Sequence, residues 1–313
     1  MEGAAAGRRP DRFVFVINPV AGRGGFADRL EAKIRAAAGA AACPAEIHRT
    51  AAPGEGWRFV QDYPREAGLV CFVACGGDGT LHEVINGAMA RGNAVAAVIP
   101  CGSGNDFVRA YPERAFGDVA ALFRGTVARI DLLHCAGRYT VNLCNVGFDA
   151  RVAMHMQKFK RLPLIGGSMA YQLAIFYALL GGLSQRYTLA IDGESPMELP
   201  LTLAAACNGG CYGGGYQPAP DARVDDGIID FCGVRRLSLP RLCSLLGRYK
   251  RGEHVRDPNL RRYLILSRCK RIAIRSDRPM VVCMDGEIFH RQALEIRVEP
   301  ASLPFLLPAL PTV

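Results

Sequence analysis

Continuous hydrophobic runs alternate with helical patterns over the first part of the chain, up to Arg129. Phe13 to Ile17, Leu69 to Ala74 and Ala94 to Ile99 are apolar throughout, which is typical of strands buried on both faces. Apolar residues recur at helical spacing from Leu81 to Met89, and a second helix is predicted from Phe26 to Ala38. Strands that alternate with helices predict an α/β domain with a parallel sheet.

The pattern changes after Arg129, where short runs separated by turns follow one another with few helices between them. Such a pattern predicts an antiparallel β-sandwich or barrel. The predicted strands are Tyr139–Asn145, Thr188–Ile191, Leu199–Ala206, Ile228–Val234, Arg271–Ile274, Val281–Met284 and Leu294–Val298. We therefore expect two domains, 11–129 and 130–300, with the tail 301–313 packed on the first.

Glycine-bearing turns follow the predicted strands of the first domain. Asn18-Pro19 ends one strand, Gly76 to Thr80 (GGDGT) ends the next, and Gly102 to Phe107 (GSGNDF) ends the third. Glycines let backbone amides approach an anion, and the carboxyl ends of parallel strands share one edge of a sheet. The turns therefore predict one phosphate-binding nucleotide site. For Gly76 to Thr80 the alternative is an ordinary turn in which Asp78 or Thr80 caps the helix.

The cysteines and the N-terminus favour a reducing cytoplasm as the location. The twelve cysteines form no C-x-x-C pair, and several lie in apolar strand-like runs, so neither a disulfide framework nor a zinc site is expected. No apolar signal sequence follows the N-terminal arginines. Leu162 to Gln185 is 24 residues without a charge, but its glycines, Pro163 and polar residues favour a mostly buried helix from Ser168 to Leu183 over a membrane span.

Positive charge is concentrated between Arg235 and Arg275. This segment has 13 Lys or Arg and only two acids, Glu253 and Asp257, in a chain whose net charge is +9. Such a run can be an ordinary solvated face, but it also suits an anionic membrane surface. No RNA- or DNA-binding motif accompanies the charge, so we expect no nucleic-acid partner.

Taken in order, these motifs resemble the diacylglycerol kinase catalytic-domain family, with the bacterial soluble lipid kinases as the best match. Asn18-Pro19 with Gly22 and Gly24, the two glycine-rich turns and Asp285-Gly286-Glu287 carry the resemblance. Segments of the second domain agree with it: Asn145–Ala150 (NVGFDA), Asn208–Pro220 (NGGCYGGGYQPAP) and Asp225-Asp226-Gly227. The resemblance implies a NAD-kinase-like α/β domain, a β-sandwich, and an ATP-dependent kinase that phosphorylates the hydroxyl of a lipid such as diacylglycerol.

The resemblance also implies which residues contact ATP and metal. The residues that would surround or contact ATP are Asn18, Pro19, Val20, Ala21, Gly22, Thr50, Gly76, Gly77, Asp78, Gly79, Thr80, Leu81, His82 and Ser103. Asp78 and Asp106 would hold the catalytic Mg²⁺, largely through water. Asp226, with the carbonyl groups of Arg223 and Ile228, resembles a structural Mg²⁺ site. His82 stands where the family usually has Asn.

Asp285, with Glu287 two residues on, matches the family region that is assigned the general base. Asp285 follows a predicted strand and precedes a glycine, so it also fits an ordinary hairpin turn. A lipid hydroxyl is a poor nucleophile, and a carboxylate within hydrogen-bond reach can accept its proton during attack. The sequence does not divide the base role between Asp285 and Glu287.

Other functions are compatible with parts of this pattern. NAD kinase has a related fold and a similar Gly-Gly-Asp-Gly turn, but Asn208 to Pro220 and the context of Asp106 favour the lipid branch. A sphingoid base or ceramide is an alternative acceptor. A non-enzymatic lipid-binding regulator is disfavoured because Asp78, Asp106 and Asp285 are all retained. We expect a cytoplasmic enzyme that contacts the membrane peripherally, and a homodimer is left open.

Overall fold

The computed structural model describes residues 8–22, 25–102, 104–159 and 167–311. The chain divides into two compact units. The first unit contains the residues up to Leu132 together with those from Pro300 onward, and the second contains Leu133 to Glu299. The division lies a few residues after the boundary expected at Arg129, because strand pairing continues beyond that arginine.

The first unit alternates strands with helices. In chain order its elements are β1 (Arg12–Ile17), α1 (Phe26–Ala41), β2 (Ala45–Arg49), α2 (Glu55–Asp62), β3 (Val70–Gly76), α3 (Asp78–Arg91), β4 (Ala94–Pro100), α4 (Val119–Phe123) and the start of β5 (Thr126–Cys135). The strands pair in parallel in the order β4-β3-β1-β2. Strand β3 is buried along its whole length, as expected for a strand covered on both faces. Strand β2 and helix α2 are absent from the elements predicted from the sequence.

The described residues of the second unit form an antiparallel β structure that also carries three α-helices. Its elements are β6 (Arg138–Thr140), β7 (Leu143–Gly147), α5 (Phe148–Phe159), α6 (Gly167–Leu180), β8 (Gln185–Ile191), β9 (Met197–Cys207), β10 (Ile229–Arg235), α7 (Leu239–Lys250), β11 (Leu264–Cys269), β12 (Arg271–Met284) and β13 (Glu287–Leu307). Helix α6 corresponds to the helix predicted from Ser168. Helices α5 and α7 were not predicted, so the helix-poor expectation for this part of the chain is wrong.

Two long strands fold the sheet of the second unit over its own core. Strand β9 pairs with β7 along 203–207 and with β8 along 197–201. Strand β12 pairs with β7 along 282–284 and with β8 along 272–275. Because both long strands share the same two partners, they enclose a core that includes Tyr187, Phe231 and Ile272. The antiparallel pairing around an enclosed core agrees with the antiparallel β-sandwich or barrel that the sequence predicts.

The last part of β13 belongs to the first unit. Phe305 pairs in parallel with Ala96 of β4, and Leu306 lies in the core of that unit. The backbone N–H of Ala301 donates to Asp131 Oδ1 at 2.6 Å, and the side chain of Arg114 donates to the carbonyl oxygen of Pro308 at 2.7 Å. The first unit is therefore completed by the final residues of the chain.

Candidate active site

The first two predicted turns are joined by the side chain of Asn18, which follows β1. Its backbone N–H donates to the carbonyl oxygen of Cys75 at 3.0 Å, and its side-chain amide donates to Thr80 Oγ1 at 3.4 Å. Its own Oδ1 accepts the backbone N–H of Val20 at 3.1 Å, which shapes the turn after the strand. Asn18 thus connects the turn after β1 to the start of α3.

The turns after β3 and β4 approach each other at their glycines. A Cβ placed on Gly102 would lie 2.4 Å from the Cα of Gly77, far closer than carbon atoms pack. The backbone N–H of Cys101 also donates to the carbonyl oxygen of Gly76 at 2.9 Å. Glycine is required at this crossing because no side chain fits between the two backbones. The structure therefore brings together the two glycine-rich turns, as expected for one shared site.

Asp78, in the first helical turn of α3, holds the glycine-rich turn that follows β4. Its Oδ2 accepts the backbone N–H of Asn105 at 2.9 Å, and its Oδ1 accepts the backbone N–H of Asp106 at 2.8 Å. Asn105 itself has a positive φ of 52°, a conformation in which Asn is favoured among non-glycine residues. The carboxylate of Asp78 therefore fixes the backbone that carries Asp106.

The carboxylates of Asp78 and Asp106 flank the same glycine. A Cβ on Gly104 would lie 2.4 Å from Asp78 Oδ2 and 3.5 Å from Asp106 Oδ2. Asp106 is 7% exposed, and its carboxylate is 3.5 Å from Arg109 Nε. Mg²⁺ is commonly held by one or two carboxylates together with water and substrate phosphate oxygens, so this pair fits such an ion. The described part of the chain contains no cluster of three or more His, Cys, Asp or Glu side chains that could hold a metal unaided.

The remaining residues of the expected ATP site lie in the same unit. Thr50 follows β2, and its hydroxyl and backbone N–H both donate to the carbonyl oxygen of Ile17, at 3.4 and 3.0 Å. Gly79 is exposed in the first turn of α3, whereas Thr80 and Leu81 are buried. Pro19, Val20, Ala21 and Gly22 form the exposed or half-buried turn after β1. Ser103 lies outside the described residues.

The ring of His82 packs inside the first unit. It is 3% exposed, and the indole of Trp57 meets it edge-on with 6.4 Å between the ring centroids. The side-chain amide of Asn86 donates to the backbone carbonyl oxygen of His82 at 2.8 Å. The packing on Trp57 explains how an imidazole is accommodated where the family usually has Asn. It also leaves little of the ring surface for contact with a nucleotide.

Asp285 lies in the second unit, in the two-residue turn between β12 and β13. Its carboxylate accepts the backbone N–H groups of Val141 at 2.8 Å, Asn142 at 3.2 Å and Leu143 at 3.1 Å. Its φ is 46° and that of Gly286 is 94°, which is the geometry of a tight hairpin turn. The hairpin reading of Asp285 is therefore correct, and the same carboxylate also anchors the loop before β7.

Burial raises the pKa of Asp285 above its ordinary value, while hydrogen bonds from Thr140 and from the 141–143 backbone oppose the rise. A raised pKa makes this carboxylate a better proton acceptor than an ordinary Asp. Glu287 is exposed at the start of β13, directly opposite Met284 in the hairpin. Of the two candidate bases, Asp285 has the fixed position.

The carboxylate of Asp226 already has a cationic partner. Its Oδ2 accepts a hydrogen bond from the guanidinium of Arg268, and its Oδ1 accepts the backbone N–H of Ile228 at 3.1 Å. The side chain of Arg223 forms an ion pair with Asp225 at 3.0 Å. The guanidinium of Arg268 therefore already binds the carboxylate that the expected structural Mg²⁺ would need. This arrangement does not fit a metal.

A buried carboxyl network in the second unit was not singled out from the sequence. Asp149 Oδ2 accepts hydrogen bonds from the Asn145 amide at 2.6 Å and from the Tyr212 hydroxyl at 2.8 Å. Its Oδ1 accepts the backbone N–H of Ala150 at 3.0 Å. Burial raises the pKa of Asp149 to about 6. Asn145 and Asp149 both belong to the NVGFDA segment. Asn145 lies on β7 and Asp149 lies four residues later on α5, and this spacing was the sequence signal that could have indicated their contact.

The basic segment divides into paired and unpaired cations. Arg248 forms an ion pair with Asp257, and Arg251 forms one with Glu253 at 2.6 Å. Arg256, Arg268 and Arg271 are also ion-paired. The other eight cations have no ion pair with any described residue: Arg235, Arg236, Arg241, Lys250, Arg261, Arg262, Lys270 and Arg275. The free positive charge of this segment is therefore smaller than its composition suggests.

No helix among the described residues has both the length and the apolar character that crossing a membrane requires. Helix α6 has 14 residues, whereas a spanning helix needs about 20. The twelve cysteines, all among the described residues, are free thiols.

Comparison with known proteins supports both units. The diacylglycerol kinase catalytic domain matches residues 12–135, and the YegS C-terminal NAD kinase beta sandwich-like domain matches residues 142–307. A Bacillus subtilis protein named diacylglycerol kinase is 27% identical over 278 residues, covering 87% of this chain and 88% of the relative. A Pseudomonas aeruginosa protein named "Probable lipid kinase YegS-like" is 31% identical over 271 residues, covering 82% of each chain.

Solved structures show the same fold at lower identity. A diacylglycerol kinase structure from Bacillus anthracis matches with a TM-score of 0.70 at 20% identity, covering 95% of this chain and 97% of that one. An NAD kinase from Archaeoglobus fulgidus, solved in complex with ATP, matches with a TM-score of 0.50 at 14% identity, covering 96% of this chain and 94% of that one. The catalytic-domain match, the β-sandwich match and the lipid kinase relatives together show that the chain belongs to the bacterial diacylglycerol kinase and YegS-like lipid kinase family.

Proposed function

We propose that this protein transfers the γ-phosphoryl group of ATP to the hydroxyl of diacylglycerol, giving phosphatidic acid and ADP. The observation that carries the proposal is the joining of three strand-end turns through Asn18, Asp78 and the Gly77–Gly102 crossing. The relatives named diacylglycerol kinase supply the choice of acceptor. The likeness to an ATP-bound NAD kinase fold is compatible with ATP as the donor.

Backbone groups of the first unit would position the nucleotide. Glycine at residues 77 and 102 lets the turns after β3 and β4 meet. The N–H of Gly102 donates to Asn105 Oδ1 at 3.1 Å, so other backbone N–H groups of these turns would bind the phosphate oxygens. The first turn of α3 adds the partial positive charge of a helix N-terminus. Phosphoryl transfer depends mainly on such in-line positioning and on charge neutralisation.

Asp78 and Asp106 would hold Mg²⁺ beside Gly104, largely through water. The ion would supply charge neutralisation for the phosphate oxygens. Asp78 has a second task, because its carboxylate fixes the 105–106 backbone on which Asp106 stands. Asp106 is kept within reach by this support, while Arg109 limits where its side chain can turn.

Asp285 would accept the proton of the acceptor hydroxyl. A bond forms between that oxygen and the γ-phosphorus, and the bond from the γ-phosphorus to the β,γ-bridging oxygen breaks. Burial raises the pKa of Asp285, which suits a proton acceptor, and the 141–143 backbone fixes its position. We propose a cytoplasmic location with peripheral contact to an anionic membrane, since the acceptor is a membrane lipid.

The test is a radiolabelled ATP assay with purified protein against diacylglycerol, a sphingoid base, ceramide and NAD. We expect phosphatidic acid to be the main product. Faster labelling of another lipid alcohol would replace the acceptor but keep the lipid kinase assignment. Labelling of NAD alone, or of no acceptor in the panel, would contradict the proposed function.

A further inference from the structure

Helix α6 presents large hydrophobic side chains to solvent. Met169 is 47% exposed, Phe176 57%, Tyr177 46% and Leu180 69%. Of the nine large hydrophobic residues that are exposed in the described part of the chain, four lie on this one helix. A surface helix normally turns polar residues outward, and a contiguous apolar face marks an interaction site.

The opposite face of α6 is also apolar but is fully packed. Ala170 and Ala174 are 0% exposed and Ala178 is 1% exposed. The helix contains no charged residue between Gly167 and Leu180. An amphipathic surface helix has a stripe of polar residues on its exposed face. Helix α6 lacks such a stripe, so both its exposed and its packed faces are apolar.

Neighbouring elements hold α6 in place. The Tyr171 and Tyr216 hydroxyls are 2.6 Å apart, within hydrogen-bonding distance. The guanidinium of Arg151 on α5 donates to the carbonyl oxygen of Gly182, just after the helix ends. The ring of Tyr177 packs against Phe159 of α5 with 5.2 Å between centroids. The apolar face is thus a fixed surface of the second unit.

Cations lie beside this face on α5, and others lie behind α6 on the basic segment. The ring centroid of His155 on α5 is 5.8 Å from that of exposed Tyr177, and the charges of Lys158 and Arg151 act on that imidazole. Lys250 Nζ lies 5.6 Å from the ring of Tyr216, the residue that contacts Tyr171 of α6. Arg241 and Arg262 both stack on Tyr263, at 5.3 and 4.8 Å from its ring centroid. Helices α5, α6 and α7 share one hydrophobic cluster that includes Tyr216 and Tyr263. An apolar helix face with cations on the neighbouring helix is complementary to an anionic bilayer, whose headgroups attract the cations and whose acyl region accepts the apolar side chains.

We propose that α6 is a membrane-docking helix that lies in the interface of an anionic bilayer, with Met169, Phe176, Tyr177 and Leu180 inserted among the lipids. At 14 residues it is too short to span the bilayer, so it binds parallel to the surface. Tyr177 suits the headgroup level, where aromatic residues with a polar tip are enriched. This inference deepens the proposed function and rests on it, because docking would bring the second unit to its lipid acceptor.

The first experiment measures vesicle binding by flotation, using phosphatidylcholine vesicles with and without phosphatidylglycerol. The test variant is Phe176→Ser with Leu180→Ser, and the matched control is Met197→Ser with Leu266→Ser. The control residues are 42% and 43% exposed in the same unit but lie on strands. We expect the test variant to bind anionic vesicles about tenfold more weakly or worse, because two side chains no longer enter hydrocarbon. The control should bind like the unmodified protein.

A second readout follows insertion directly. Trp57 is the only tryptophan of the chain, so Trp57→Phe gives a silent background. Phe176→Trp in that background should be quenched by brominated phosphatidylcholine in anionic vesicles, whereas Met197→Trp should not. Equal vesicle binding by the two serine variants, or no quenching of Phe176→Trp, would overturn the proposal. A different outcome is that the α6 serine variant dissociates a dimer and leaves vesicle binding unchanged. That result would assign the exposed face to contact with a second copy and would also overturn the proposal.

The same proteins separate this inference from the proposed function. Phosphorylation of a short-chain, water-soluble diacylglycerol should be unchanged in the α6 variant, because that substrate needs no interface. If no lipid is phosphorylated but α6 still inserts, the proposed acceptor fails and docking stands. If diacylglycerol is phosphorylated and the α6 variant works equally well on vesicles, docking fails and the proposed function stands.

Discussion

The Cα of Gly77 lies where a side chain on Gly102 would have to be, 2.4 Å from the Cβ that such a residue would carry. The neighbouring atom is backbone, so it cannot rotate away as a flexible side chain would. The crossing of the two turns therefore depends on glycine at residue 102, and it sets the spacing of the two turns that we propose bind phosphate.

Gly102→Ala should force the two turns apart. We expect the free energy of unfolding to fall by about 1–3 kcal/mol, as for other overpacked sites, and the KM for ATP to rise. Gly117→Ala is the matched control, because a Cβ there meets nothing within 4 Å. Thermal melts and ATP titrations of the two variants test this, and identical behaviour would mean that the crossing is not needed.

Asp78→Asn should affect both chemistry and the local fold. An amide accepts only one of the two backbone hydrogen bonds that the carboxylate accepts from Asn105 and Asp106, and it removes a charge from the Mg²⁺ position. We expect kcat to fall at least about a hundredfold and the free energy of unfolding to fall by about 1–3 kcal/mol. Urea unfolding and initial rates measure these effects. Near-normal turnover with Mg²⁺ would contradict the metal role, and exposed Glu66→Gln serves as the control.

Asp285→Asn should abolish proton transfer while retaining the turn, because Asn also tolerates the positive φ of 46°. Loss of a general base typically lowers the rate by about 10²–10⁴-fold. In the unmodified protein kcat/KM should rise with pH as Asp285 loses its proton, at a pH above that of an ordinary Asp because burial raises its pKa. The variant should lose this dependence and keep its affinity for ATP.

Glu287→Gln is the companion to that substitution, since Glu287 is exposed and lies next to the same turn. It should leave turnover within a factor of about three, because Asp285 and not Glu287 is the proposed base, and the charge of Glu287 is not needed for proton transfer. Loss of turnover in Glu287→Gln with a fast Asp285→Asn would assign the base to Glu287. A loss of structure in Asp285→Asn, seen as weaker ATP binding, would assign Asp285 only to anchoring the 141–143 loop.

Asp149 should make stability depend on pH. Burial raises its pKa from 3.8 to about 6, so the folded protein binds this proton more tightly than the unfolded chain. Proton binding at Asp149 therefore contributes up to about 3 kcal/mol to the free energy of unfolding. This contribution is present in full below about pH 4 and is lost as the pH rises through 6. Relative to the unmodified protein, Asp149→Asn should become more stable as pH increases from 4 to 7. Urea unfolding across this range measures it, with exposed Glu198→Gln as the control, and parallel curves would contradict it.

The unpaired cations of the basic segment should dominate its electrostatic attraction to vesicles. Arg241→Gln with Lys250→Gln should weaken binding to anionic vesicles and reduce its salt dependence, because each cation near the surface contributes about 1 kcal/mol. The matched control is Arg248→Gln with Arg251→Gln, combined with Asp257→Asn and Glu253→Gln at their acid partners, because it removes both ion pairs and leaves the net charge unchanged. Flotation at several salt concentrations compares the pairs. A larger loss in the Arg248 and Arg251 variant would contradict this division.

The sequence was most informative where one physical requirement fixed the pattern. The buried strands β1, β3 and β4 are continuous apolar runs, and the glycine-rich turns after β3 and β4 meet as expected. Strand β2 was missed because Ala45 to Arg49 is half-exposed and lacks an apolar run. Helix α7 was missed because its basic residues were interpreted as a charge run, although Leu242, Leu245 and Tyr249 form a buried stripe on it.

The partners of individual side chains could not be predicted in the same way. Arg268 is distant in sequence from Asp226, and only the pairing of β10 with β11 brings its strand alongside, with Asp230 opposite Arg268. A motif match alone therefore assigned Asp226 to a metal. Likewise, no local pattern indicates that the carboxylate of Asp285 accepts the 141–143 amides, because that contact depends on the pairing of β12 with β7.

The end of β13 has a consequence for the order in which the protein matures on the ribosome. Every residue of the second unit precedes Pro300, so that unit does not depend on the segment that the first unit takes from the end of β13. The first unit begins earlier in the chain but lacks Phe305 and Leu306, which belong to its sheet and its core. The first unit should therefore reach its native state only after Phe305 and Leu306 have been translated, although most of it is translated before the second unit.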